Sequence, residues 1–250
     1  MNIVAIIPSR YASTRFPGKP LVNIAGKSMV QRVYEQTLKA IDKVYVATDD
    51  NRILDEVKRF GGKAIMTSTD HKSGTDRCAE AIKLIEEIEN KSFDVIVNIQ
   101  GDEPFIQPGQ ITKLCDCFAD HETRIATLAK PFGPSDDISD SNKVKVVLSN
   151  NHFALYFSRA VIPFIRNNDK KETWASIHKY FLHIGLYAYK KDTLFKITKL
   201  LPSSLENAES LEQLRWLEND FNIKVEITDH ESFGIDTPED LKKLSDRIPG

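Results

Sequence analysis

The chain has 250 residues, 28% of them charged, with a formal net charge of −2. That length can bury one sizeable α/β core, and the near-neutral balance excludes the global basic field that recruits nucleic acid. The cysteines, Cys78, Cys115 and Cys117, fit neither a disulfide framework nor a zinc site, and no apolar run is long enough for a signal peptide or a membrane span, so the sequence predicts a reduced, cytoplasmic protein with no membrane partner.

The opening run Ile3–Ile7 predicts a buried parallel strand that feeds a loop holding Arg10, Arg15 and Lys19. Ser28 at N-cap and Gln31 at N3 open a helix with Met29, Val33 and Leu38 as its apolar stripe. A second strand over 44–48 ends at Asp49-Asp50. Ile53, Leu54, Val57 and Phe60 then recur with helical period, and Gly61-Gly62 is a fitting stop. A short third strand over 63–67 precedes a helix from about Thr75, with Cys78, Ile82, Ile85 and Ile88 on one face. The next segment, over 94–100, predicts a further buried strand. Strands alternating with helices in this way imply βαβ units and a mostly parallel sheet flanked by helices.

Beyond Phe132 the pattern changes. Residues 133–142 are polar and predict a loop. Strands over 143–148 and 153–157 follow, with a turn at 149–151. A polar segment over 166–173 precedes an alternating strand over 183–189, and 210–218 is an amphipathic helix through Leu211, Leu214 and Leu217. A strand over 223–227 leads to a last helix with Thr237 at N-cap and Pro238 at N1. The simplest account is one integrated domain in three parts. Residues 1–132 form the nucleotide-binding part, 133–230 a β-rich excursion, to which the resemblance described below assigns sugar binding and dimerisation, and 231–250 a return onto the first part.

Three cations, a glycine and two prolines directly after a first strand suggest a cradle for a polyanion, most plausibly a triphosphate, because ligands of open α/β sheets sit beyond the carboxyl ends of the strands. No two glycines have the dinucleotide-fingerprint spacing, and Leu21 stands where the first glycine of a Walker A loop should precede Gly26-Lys27-Ser28. Asp102, in Gln100-Gly101-Asp102-Glu103-Pro104 after a buried strand, suits a magnesium ion beside phosphates; the alternative is a turn residue with a local hydrogen bond. Asp236 is either a second ligand of that ion or a residue flanking a helix cap. Ser73-Gly74-Thr75-Asp76-Arg77, at a helix start, reads as an anion or base-edge site, or equally as a plain cap beside a solvated arginine.

These segments together closely resemble the 3-deoxy-manno-octulosonate cytidylyltransferase (CMP-Kdo synthetase) family. The resemblance is carried by 7–21, by Val46-Ala47-Thr48-Asp49, by 71–77 and by 97–104. It continues through Val144-Lys145-Val146-Val147, 154–163, His183-Ile184-Gly185-Leu186-Tyr187, Leu211-Glu212-Gln213-Leu214-Arg215 and 236–241. It implies a single nucleotide-diphospho-sugar transferase-like domain, a reaction of CTP with Kdo giving CMP-Kdo and pyrophosphate, Mg²⁺ dependence, a homodimer and a role in lipopolysaccharide synthesis. By position it implies that Arg10 and Lys19, with Arg15, hold phosphates, and that Ser73, Thr75, Arg77 and Gln100 lie along the nucleotide. It further implies Asp102 and Asp236 as Mg²⁺ ligands, and Arg159, His183, Tyr187, Glu212 and Arg215, with Gln100, around the sugar. A sister enzyme acting on a sialic acid, a glycosyltransferase and a non-catalytic nucleotide sensor are the competing readings. A glycosyltransferase would carry Asp-x-Asp where this chain has Gln100-Gly101-Asp102-Glu103.

Overall fold

The computed structural model describes residues 1–12, 16–133, 136–230 and 234–245. In chain order the strands are β1 (Ile3–Ser9), β2 (Asn23–Ile24), β3 (Lys27–Ser28), β4 (Val44–Thr48), β5 (Ala64–Met66), β6 (Val95–Asn98), β7 (Ile125–Pro131), β8 (Lys145–Leu148), β9 (Ala154–Ser158), β10 (Phe181–Lys190) and β11 (Ile223–Ile227). The helices are α1 (Met29–Leu38), α2 (Asn51–Arg59), α3 (Gly74–Glu89), α4 (Pro108–Asp116), α5 (Trp174–Ile177), α6 (Lys191–Ile197), α7 (Ser204–Glu209), α8 (Glu212–Glu218) and α9 (Pro238–Ser245). The fold is α/β, with a mostly parallel sheet flanked by helices. Two compact units divide the chain: Met1–Thr112 with Ala188–Thr198 and Ser232–Gly250, and Lys113–Tyr187 with Lys199–Glu231.

In the first unit β6, β1, β4 and β5 lie side by side and parallel, with Ala5 opposite both Val44 and Val97. Val4 to Ile7, Val44 to Thr48 and Val95 to Asn98 are all buried. Helices cover both faces of such strands, which is why they read as continuous apolar runs. Ser28 caps α1, its hydroxyl accepting from the Gln31 N–H at 3.3 Å, and Gly61, at φ 79°, lies just past the end of α2. Two expected core positions are corrected. Leu38 and Ile88 are exposed (41% and 67%), since each stands at the last turn of its helix; Val30, Tyr34 and Thr37 line the buried face of α1 instead.

In the second unit β11 runs parallel to β7, and β7 lies beside β10. β8 is antiparallel to both β10 and β9, which gives the β-rich excursion its hairpin. Short helices α7 and α8 meet at Ser210, whose left-handed backbone (φ 52°) turns the chain between them.

Candidate active site

Beyond the carboxyl ends of β1 and β6 the first unit has a cavity of about 250 Å³. Its wall includes Pro8, Ser9, Arg10, Lys19, Ser73 and Gly74, and it continues through Arg77, Gln100, Asp102 and Asp236. The loop after β1 is shaped by Gly18, whose φ of 73° favours glycine. A Cβ there would also sit 3.2 Å from the Tyr11 ring. The Gly18 N–H donates to the Tyr11 carbonyl at 3.0 Å, and the Arg52 guanidinium stacks 3.2 Å from the centroid of that ring. This staple sends Lys19 inward on a short 3₁₀ turn while Arg10 stays exposed at the cavity rim.

Lys19 Nζ donates to Asp102 Oδ2 at 2.7 Å and to Asp236 Oδ1 at 3.2 Å. Two carboxylates from distant parts of the chain thus converge on one cation. Backbone fixes both: the Ile235 N–H donates to the Asp102 carbonyl at 2.9 Å, joining the two loops. Asp240 accepts from the Thr237 N–H at 3.0 Å while the Thr237 hydroxyl accepts from the Asp240 N–H at 3.3 Å, a reciprocal cap that orients Asp236 at the start of α9. Apolar packing of Ile235 with Ile24 and Met29 seats this return in the first unit. Gly101 allows the loops to approach, since a Cβ there would meet the Pro8 carbonyl at 3.0 Å.

Ser73 caps α3, accepting from the Asp76 N–H at 3.1 Å, so the start of that helix stands beside the cavity. Thr75 is buried and does not form part of the wall. Arg77 reaches the wall, but three of its donors are committed: Nη2 to Asp49 at 2.6 Å, Nη1 to the Thr67 hydroxyl at 2.6 Å and to the Ser68 carbonyl at 3.2 Å. Arg15 lies outside the described residues. Sequence reasoning gave no role to Ser9, His71 or Lys72, which also line the cavity. The Ser9 hydroxyl is buried and has no hydrogen-bond partner among the described residues. His71 is held by Glu80, three residues along α3 from Arg77. Their place inside the segments 7–21 and 71–77 was the signal available.

The remaining candidates gather in the second unit. Thr127 in β7 is a buried hub: its hydroxyl donates to the Leu186 carbonyl at 2.9 Å and lies 3.1 Å from His183 Nε2. The His183 and Tyr187 rings are 5.4 Å apart, and Tyr187 meets Trp216 edge-on at 5.1 Å. Burial pulls the His183 imidazole down to about 3, so it is neutral at ordinary pH. Burial, reinforced by the Glu212 carboxylate, raises the Tyr187 phenol well above its usual range. Arg215 Nη2 donates to Glu206 at 2.9 Å and to Glu212 at 3.4 Å, yet its buried Nε–H has no hydrogen-bond partner among the described residues. Gln213, which follows Glu212 and was not singled out from sequence, is buried, and its amide Nε2 has no hydrogen-bond partner among the described residues. Arg159 sits apart from the rings. Its guanidinium is held by the carbonyls of Glu209 (2.7 Å), Ser141 (3.0 Å) and Ser210 (3.5 Å).

Residues 4–227 match the family described as cytidylyltransferase. A 3-deoxy-manno-octulosonate cytidylyltransferase of Bacteroides thetaiotaomicron is 59% identical over 245 residues, covering 97% of this chain and 96% of the relative. Another enzyme of that name, from Geobacter sulfurreducens, is 48% identical and covers 99% of this chain and 100% of its own. Among solved structures, CMP:2-keto-3-deoxy-manno-octonic acid synthetase complexed with CTP superposes with a TM-score of 0.87 at 41% identity, covering 99% of this chain and 98% of that one. The chain belongs to the cytidylyltransferases and, within them, to the 3-deoxy-manno-octulosonate cytidylyltransferase family.

Proposed function

We propose that the protein transfers the cytidylyl group of CTP to 3-deoxy-manno-octulosonate (Kdo), giving CMP-Kdo and pyrophosphate. The observation that carries this reading is the convergence of Asp102 and Asp236 on one cation position, in a cavity that also holds Arg10 and the start of α3. Arg10, Lys19 and Arg15 neutralise the triphosphate. Gln100 and Ser73 face the nucleotide; Arg77 acts behind them, fixing the 67–68 turn through Asp49 and its own donors. Positioning and charge neutralisation supply most of what an in-line attack by the sugar's anomeric hydroxyl on the α-phosphorus requires.

Two hard carboxylates already gathered around a cation fit Mg²⁺, which prefers oxygen ligands. When bound, Mg²⁺ neutralises phosphate charge and stabilises the leaving pyrophosphate. The acid sugar needs a cation for its carboxylate, for which Arg159 has guanidinium N–H groups beyond the three already committed. His183, kept neutral, serves as a hydrogen-bonding wall with Tyr187, and Glu212 with Arg215 binds hydroxyls. The names of the relatives favour Kdo over a sialic acid. A homodimer working in the cytoplasm for lipopolysaccharide synthesis completes the proposal.

The test is pyrophosphate release from CTP and Mg²⁺ with Kdo or N-acetylneuraminic acid in parallel. Release that needs Kdo and collapses in Asp102→Ala supports the reading. Release with the sialic acid alone moves the protein to the sister activity, and CTP binding without any release leaves a sensor.

A further inference from the structure

Lys145, in β8, is fully buried. Its ammonium donates to the Arg159 carbonyl at 2.6 Å and to the Asp140 carbonyl at 2.9 Å. Both acceptors are neutral, and among the described residues no carboxylate forms an ion pair with it. A buried ammonium without a counter-ion carries a large desolvation cost, and a neutral chain of similar length would suit stability better. Burial accordingly pulls this lysine below its ordinary range, while Asp140, Asp137 and Glu209 act on it in the opposite sense from a distance.

Both residues that Lys145 grips belong to the mount of Arg159. One is Arg159 itself. The other, Asp140, precedes Ser141, whose carbonyl receives Arg159 Nη1 at 3.0 Å. From the other side, Glu209 accepts from the Arg159 N–H at 2.9 Å and from the Ser158 hydroxyl at 2.6 Å, while its carbonyl takes Arg159 Nε. The root and two acceptors of the guanidinium are therefore fixed, and a second positive charge sits on the main chain at its root. Two neighbouring cations favour an anionic ligand.

We propose that Lys145 is a positioning residue for the acid sugar: it locks the main chain around Arg159 and backs it with charge, so that the uncommitted guanidinium N–H groups meet the sugar's carboxylate. This rests on Arg159 being the partner of that carboxylate, as set out above.

The experiment measures KM for Kdo and for CTP in Lys145→Met, Lys145→Gln, Lys145→Arg and Arg159→Ala, and in the Lys145→Met/Arg159→Ala double variant. Lys145→Met should raise KM for Kdo by about tenfold or more and leave KM for CTP within about twofold. Lys145→Arg should recover part of the loss, and the double variant should lose less than the sum of the two singles, because one residue acts through the other. An unchanged KM for Kdo in folded Lys145→Met, a parallel rise for both substrates, or simple additivity overturns the proposal. If Lys145→Met does not fold, Lys145→Gln is judged by the same criteria. If Arg159→Ala itself leaves KM for Kdo unchanged, the reading of Arg159 fails and the proposal falls with it.

Discussion

Lys19 and Asp102, from the loops after the first and the sixth strand, meet at 2.7 Å, and Asp236 from the C-terminal return closes on the same ammonium at 3.2 Å. The lysine offsets two carboxylates that would otherwise repel each other. Removing it by Lys19→Met should leave a folded protein whose melting temperature rises more on adding Mg²⁺ than that of the unaltered chain. Differential scanning fluorimetry across a Mg²⁺ titration checks this; equal shifts in both proteins would mean the carboxylates do not share a cation position.

Asp102→Asn and Asp236→Asn each keep the shape of the side chain and remove one negative charge. Each should lower pyrophosphate release by about a thousandfold, the scale of losing a main electrostatic element of a transition state. A steady-state assay at saturating CTP measures it. Retention of more than a tenth of the activity in Asp102→Asn would remove that residue from the centre.

Arg77 is 4% exposed and pairs with Asp49 at 2.6 Å. Arg77→Met breaks a buried ion pair and leaves Asp49 uncompensated, which costs about 3–5 kcal/mol. Urea denaturation should show a lower midpoint with an unchanged slope. An unaltered midpoint would place Arg77 in direct nucleotide contact rather than in the scaffold.

Glu89, at the end of α3, takes hydrogen bonds from Lys43, Lys63 and Tyr45, which hold its carboxyl down at about 2. Its folded value lies below the ordinary 4.5, so its contribution is fully present above about pH 4.5 and is lost as pH falls toward 2. Glu89→Gln should therefore lower the melting temperature above about pH 4.5 and flatten its dependence on pH across that window, the two proteins converging toward pH 2. The difference should shrink in molar salt, because the cluster lies near solvent.

His183 is the reverse case among basic groups. Its folded value of about 3 lies below the ordinary 6.5, so the unfolded chain takes up the proton first. Stability from this residue is complete above about pH 6.5 and declines as pH drops toward 3. Imidazole chemical shifts should show one ring that remains neutral down to about pH 5. A ring at position 183 titrating near 6.5 would show that water reaches it.

The first unit was largely legible because its strands are buried on both faces. Ile3–Ile7, Val44–Thr48 and Val95–Asn98 are runs with no polar interruption before their ends, and Asp102 stands where such a strand must stop. Leu38 and Ile88 misled because periodicity counts a last helical turn as fully as a first, although the covering sheet does not extend that far. Short elements left no trace: β2 and β3 have two residues each, and α5 has four. The candidate sugar residues came only from resemblance. His183 lies in β10, Glu212 in α8 and Arg159 just after β9, and nothing local in the chain links Thr127 to His183 or Lys145 to Arg159.

The tethered ammonium between Asp102 and Asp236 has a consequence for the order of events. A free divalent ion must compete with a cation that is covalently attached and always at hand. A ligand bringing its own anions offers Lys19 another partner and vacates the carboxylates as it enters. One ammonium between two carboxylates still leaves a net negative charge, and on the function proposed above both carboxylates become available to a divalent ion once a polyanion has drawn Lys19 away.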